Sequence, residues 1–206
     1  MQILNSQDSN FASSLEKLIN QPRVNNEDVR GVVTEIIERV ISKKDKALVE
    51  FTKKFDNVAL RSKDIMFSDL EISQYCADVP DEHKKALDLA ASRIKEFHQK
   101  QLPSDKYWTD KTGIEMGWKW RPIEYVGLYV PGGTASYPSS VLMNAIPARI
   151  AGAKEIVMVS PVPSGKINPL VIYAARTSGI NKIYKIGGAH AIAALAFGTE
   201  TINPVD

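Results

Sequence analysis

Apolar positions in the first half of the chain recur at helical spacing. After Asn26, the residues Val29, Val33, Ile36 and Val40 fall on one helical stripe. Asn25 or Asn26, just ahead of Glu27 and Asp28, is placed to cap that helix, with acids in its first turn. Ser42-Lys-Lys-Asp45 has the form of a capping box and predicts a second helix, with Leu48, Phe51 and Phe55 on its buried side. A polar stretch from Asp56 to Lys63 separates it from a short apolar segment, Ile65-Met66-Phe67. Pro80-Asp81-Glu82 opens a further helix, whose stripe is Leu87, Ala90, Ile94 and Phe97, and Pro103 stops it. Strict alternation follows: Ile114, Met116, Trp118 and Trp120 against Glu115, Gly117 and Lys119. That predicts a half-buried strand belonging to a hairpin.

The pattern changes at about Ile123. Tyr125 to Val130 is a nearly continuous apolar run, expected of a strand covered on both faces. Pro131-Gly132-Gly133 ends it, and Ser139 or Ser140 is placed to cap a helix reaching about Ile150. Ile156 to Val159 predicts a second strand and Asn168 to Ser178 a helix, with Pro169 in its first turn and Gly179 at its stop. Ile183 to Ile186 predicts a third strand, and Gly187-Gly188 leads into an alanine-rich helix from Ala189 to Phe197. Strand and helix alternating in this way predict a parallel sheet with right-handed crossovers.

The fold class is therefore α/β. A helical N-terminal region with a β-hairpin precedes an incomplete Rossmann-like parallel sheet, βαβαβα. The expected divisions are an N-terminal helical arm over 1–25, a helical region with the hairpin over 26–122, forming part of a first α/β domain, and a nucleotide-binding domain over 123–206. Three strands make a small sheet, so at least one open edge and a further strand after Val205 are expected.

Composition narrows the function classes. With 206 residues, 44% of them hydrophobic and 24% charged, the chain can bury a globular core. Its 26 basic and 24 acidic residues leave a formal charge of +2, too little for a nucleic-acid footprint. The pairs Lys53-Lys54 and Lys84-Lys85 read as solvated helix faces. Cys76 is the single cysteine, so no intrachain disulfide can form and a reducing compartment is expected. The first residues do not resemble a signal peptide, and no apolar run is long enough to span a membrane. A cytoplasmic protein is the expectation.

Two loops lie where α/β proteins bind ligands, beyond the carboxyl ends of strands: Tyr129 to Gly133 and Gly187 to His190. Paired glycines allow a phosphate to approach the backbone, and the helix start that follows offers N–H groups. The same glycines would equally serve tight strand-to-helix turns and nothing more. Neither loop is a G-x-G-x-x-G, so both possibilities stay open on spacing alone. His83 and His98 are predicted on one helix, about 22 Å apart along its axis, and cannot share a metal. No cysteine cluster or H-x-x-x-H pattern supplies zinc ligands. Ser139-Ser140 lacks a glycine elbow, so capping suits it better than nucleophilic work.

The run Val126 to Gly133, followed by Tyr137 to Ala148, closely resembles histidinol dehydrogenase. So do Gly152 to Val157, Tyr184 to Ala196, Gly198 to Ile202 and Pro204-Val205-Asp206, together nearly all of residues 123–206. The first 120 residues fit more loosely, chiefly through Ala47-Leu48 and Phe55-Asp56.

The resemblance implies an oxidoreductase that converts L-histidinol through the aldehyde to L-histidine, using NAD twice, in the last steps of histidine biosynthesis. It also implies a zinc-containing homodimer with incomplete Rossmann-like domains, in keeping with the missing fingerprint. By that resemblance Tyr129 and His190 contact NAD, while Pro131 and Pro161 line the same cleft. The family more often carries glutamine where this chain has His190. The family's Gly-Pro-Gly-Asn cofactor motif, its glutamate–histidine acid–base pair and its Gln, His, Asp and His zinc ligands are expected beyond Asp206. No catalytic or metal-binding residue is therefore expected within this chain, which by itself should be inactive and bind NAD weakly. Two other readings are a relative acting on another amino alcohol or a hydroxyalkyl sulfonate, and a non-catalytic nucleotide-binding or assembly module.

Overall fold

Three parallel strands, β3 (Tyr125–Tyr129), β4 (Glu155–Val159) and β5 (Lys182–Tyr184), lie side by side in that order, with β4 in the centre. The computed structural model describes residues 3–20, 26–132 and 137–206, apart from the side chains of 26–28. By packing, the chain divides into two units, Met1–Glu35 and Ile36–Asp206. The first contains α1 (Phe11–Asn20), which buries no residue, and the start of α2 (Asn26–Lys43). Val29, predicted on the buried stripe, is exposed, and the predicted cap at Asn25 or Asn26 lies outside the described residues.

In the larger unit the sheet separates two cores, because successive side chains of a strand point to opposite faces. Ile156 and Met158 enter one core, with Val126, Leu128 and Ile183. On that side pack α4 (Asp69–Ala77), α5 (Asp81–Gln99), α6 (Pro138–Ala151) and α7 (Pro169–Thr177). Val157, Val159 and Tyr184 enter the other core, with Ile36 and Val40 of α2, Leu48 and Phe51 of α3 (Asp45–Asp56), and Ala191 and Ala194 of α8 (Gly188–Phe197). Helices from the first half of the sequence thus cover both faces of a sheet built from the second half.

Several local expectations are corrected. The apolar run of β3 predicted a strand covered on both sides, but β3 is an edge strand and only half-buried; β4 takes the covered central position. Its outer edge meets Asp206, whose N–H donates to the Tyr125 carbonyl at 3.0 Å. The short segment Ile65-Met66-Phe67 lies along β5 in the antiparallel sense, with Phe67 N–H donating to the Ile183 carbonyl at 2.8 Å. The hairpin forms as β1 (Lys106–Thr109) and β2 (Glu115–Trp118), yet every residue of both strands is exposed, so the predicted half-burial is absent. Phe55 and Phe97, placed on buried stripes by spacing, are exposed as well.

Capping differs in an instructive way. Ser42 does not open α3: it sits in the last turn of α2, with its hydroxyl donating back to the Glu38 carbonyl at 2.8 Å. The chain turns at Lys44, with φ of 52°, and the Asp45 N–H donates instead to the Glu200 carboxylate at 2.8 Å. The capping box that does form is Ser68 with Glu71, which opens α4, a helix the spacing of apolar residues did not reveal. Ser139 and Ser140 lie inside the first turn of α6, because Pro138 holds the first helical position and Tyr137 precedes it. Asn168, expected as the first residue of its helix, instead caps α7, accepting from Leu170 N–H at 2.9 Å.

Candidate functional site

Three strand-to-helix turns meet at the carboxyl end of the sheet, and Pro161 stands between them. A Cβ added to Gly132, after β3, would come within 2.5 Å of the Pro161 carbonyl oxygen. One added to Gly187, after β5, would come within 2.4 Å of the Pro161 Cβ. Both glycines are therefore required by close approach to the same proline, and at neither is the cause a positive φ. Gly188 does have a positive φ, 62°, and its N–H donates to the Tyr129 hydroxyl at 3.1 Å. The two glycine-bearing turns are thus joined, through Pro161 and through Tyr129.

The four residues expected at a cofactor do not share one cavity. Side chains at Tyr125, Gly127 and Tyr129 belong to the α8 side of β3, where the Gly127 Cα faces Leu195 and Val205. Tyr129 is 40% exposed there, beside the first turn of α8. Pro131 and Pro161 line a cavity of about 640 Å³ on the other side, together with Gly132, Ser160, Ile167 and Val171.

His190, the fourth, is 1% exposed. Its ring lies against Phe51 and Phe55, with centroids at 5.6 and 6.1 Å, and its Nε2 is 3.5 Å from the Thr52 hydroxyl. Burial holds its pKa down at about 4, so the ring is neutral at physiological pH. In this arrangement the imidazole belongs to the core beneath α3, and what His190 presents at the helix start is its backbone. Nothing in the spacing of the sequence could have shown this, since α3 arrives from more than a hundred residues earlier.

The two helix starts beside the site differ in chemistry. At α7, Pro169 has no N–H, and Leu170 and Val171 donate to the side chain and carbonyl of Asn168. Its donors are already used. At α8 the capping position is Gly187, which has no side chain to offer, so no side-chain cap closes that first turn. The α8 start is the one suited to an anion, by its dipole and its N–H groups.

Ser160 went unnoticed in the sequence. It directly follows β4, where continued alternation would place it on the face of Ile156 and Met158, a polar residue in an apolar position. It is 1% exposed, and its hydroxyl has no hydrogen-bond partner among the described residues.

Comparison with known proteins identifies the family. The family model described as histidinol dehydrogenase matches residues 19–206. The chain belongs to the histidinol dehydrogenase family. It is 49% identical over 205 residues to the histidinol dehydrogenase of Ruegeria pomeroyi, covering 100% of this chain and 47% of that protein. With the enzyme of Mesorhizobium japonicum it shares 50% identity over 202 residues, 98% of this chain and 47% of the relative. The crystal structure of histidinol dehydrogenase from Elizabethkingia anophelis superposes with a TM-score of 0.86 at 42% identity, over 94% of this chain and 45% of that one. The chain thus spans about half the length of the curated relatives it matches. Among the described residues no helix is long and apolar enough to cross a membrane, and no group of three or more His, Cys, Asp or Glu could hold a metal ion.

Proposed function

We propose that this chain supplies part of the NAD site of a histidinol dehydrogenase that oxidises L-histidinol through the aldehyde to L-histidine, acting as a cytoplasmic homodimer in histidine biosynthesis. The observation that carries the reading is the junction at Pro161, where two glycines pack against one proline and Gly188 N–H is held by Tyr129. Both glycines lie tight against Pro161, which fixes the turn after β3 and the start of α8 beside one another at the end of the sheet. Tyr129, Pro131 and Pro161 then contact NAD through their side chains, and His190 through its backbone at the start of α8. Tyr129 also sets the angle of that helix start, because its hydroxyl accepts from the first helical N–H.

Bound NAD would supply the acceptor for the hydride taken from the substrate. This chain's residues bind and orient it. By the family resemblance, the acid–base and zinc chemistry is assigned to residues outside this chain.

The test is direct. Isothermal titration of the purified chain with NAD should give weak binding, and incubation with L-histidinol and NAD should give no NADH. Submicromolar affinity would contradict a half-built cleft, and NADH formation by this polypeptide alone would show that the reactive groups lie within it.

A further inference from the structure

We propose that Thr52 is a positioning residue for the cofactor turn: acting through the His190 ring, it fixes the direction of the first turn of α8. This rests on the NAD reading above and extends it to α3, a helix that lies outside the glycine-bearing loops.

The first turn of α8 has few means of being held. Gly188 has no side chain and Ala189 only a methyl group, so the imidazole of His190 is its one long side chain. That ring lies against Phe51 and Phe55 of α3, and its Nε2 is 3.5 Å from the Thr52 hydroxyl. A neutral imidazole donates at one nitrogen and accepts at the other, and a hydroxyl can serve either. Thr52 is completely buried, so water does not compete for this contact. A valine would fill the same space, and the hydroxyl is therefore explained by the bond it makes to His190.

The two helices are also joined at their other ends. Lys44 Nζ donates to the Gly198 carbonyl at 3.2 Å, and Asp45 N–H donates to the Glu200 carboxylate at 2.8 Å. α3 thus holds α8 at both ends, and the Thr52–His190 contact is the one at the end that meets the cofactor. A helix held only at its far end can swing its first turn and change where the N–H groups point. Groups set in direction before the ligand arrives bind it more tightly, because less freedom is lost on binding. Tyr129 supplies one anchor, through the Gly188 N–H at 3.1 Å. One anchor leaves a pivot; Thr52, through His190, is the second.

The experiment compares two substitutions in the ¹⁵N-labelled chain. Thr52→Val keeps the shape and removes the hydroxyl, whereas Thr52→Ser keeps the hydroxyl and removes a methyl group. The shift and hydrogen exchange of the Gly188 amide report the turn, and a titration with NAD reports the cofactor. Thr52→Val should move the Gly188 amide, speed its exchange and weaken NAD binding about three- to tenfold. Thr52→Ser should leave both near the parent, even where it lowers the melting temperature. A residue that only packs gives the reverse order. His190→Phe keeps a ring against Phe51 and Phe55 but removes Nε2, so it should reproduce Thr52→Val, and the double variant should lose nothing more. It serves where Thr52→Val does not fold.

A Gly188 amide unchanged in both Thr52→Val and His190→Phe would overturn the positioning role and leave the cofactor reading standing. So would a displaced Gly188 amide with NAD affinity equal to the parent's. A parent chain that shows no NAD shifts, with Gly188 responding to Thr52→Val as expected, would keep Thr52 as the holder of the turn and remove the cofactor reading. No NAD shifts and no Gly188 response overturn both.

Discussion

The Gly188 N–H donates to the Tyr129 hydroxyl over 3.1 Å and ties the turn after the third parallel strand to the end of the first. The bond crosses the carboxyl end of the sheet, and it uses one of the N–H groups that a helix start leaves without an intrahelical partner. Tyr129→Phe removes the acceptor while keeping the ring. Because Tyr129 is partly exposed, water can replace it, and the expected loss is about 0.5–1 kcal/mol by urea denaturation. An unchanged midpoint would show that the bond contributes nothing to holding the turns together.

The Pro161 junction predicts a sharp difference among glycines. Gly132→Ala and Gly187→Ala each force a methyl group onto Pro161 and should destabilise the fold by about 1–3 kcal/mol. Gly31 sits within α2 with open space around it, so Gly31→Ala should stabilise by about 0.5–1 kcal/mol. Thermal melts of the three variants decide it. Similar behaviour at Gly31 and Gly187 would remove the close approach as the reason for the glycine.

Stability should fall with acid through His190. An imidazole free in the unfolded chain titrates near 6.5, whereas burial lowers the folded value to about 4. Between those values the unfolded state binds the extra proton, so stability is complete above about pH 7 and declines as the pH drops toward 4. The expected loss across that window is roughly 3 kcal/mol, from the separation of the two values. His190→Gln should flatten this part of the profile. A wild-type stability that stays level from pH 7 to pH 4.5 would contradict a buried neutral ring.

Helix caps give a third contrast, between a local motif and a distant one. Ser68→Ala and Glu200→Ala should each cost about 1 kcal/mol, since one caps α4 locally and the other accepts the Asp45 N–H that starts α3. Ser42→Ala should stay within about 0.5 kcal/mol of the parent, because its hydroxyl only bonds back within α2. Chemical denaturation of the three variants ranks them, and a large loss at Ser42 would restore it as a cap.

Elements with a strong local signal were legible in the sequence. The three parallel strands, the hairpin, and the helices α5, α7 and α8 follow from runs of residues and from Pro, Asn and Gly at their ends, which act within a turn or two. α4 was hidden because its apolar residues do not recur at helical spacing, and only its capping box, Ser68 with Glu71, marked it. The loops of the candidate site were also legible, because glycine and proline announce tight backbone approach. Which faces those loops served was not: Tyr129 and the cavity prolines fall on opposite sides of the sheet, and strand order and side-chain direction are set together only on folding.

The sequence by itself determined that this is an alternating α/β chain of the histidinol dehydrogenase family, because periodicity, turn residues and motif identity are written in neighbouring positions. The tertiary structure alone decided which strand is central, that Glu200 rather than Ser42 starts α3, that the His190 ring is enclosed by Phe51, Thr52 and Phe55, and that the Ser160 hydroxyl is buried without a partner among the described residues. Each of these depends on which residues meet across long stretches of chain. Burial and the satisfaction of a polar group are properties of those meetings, and no local pattern of side chains encodes them.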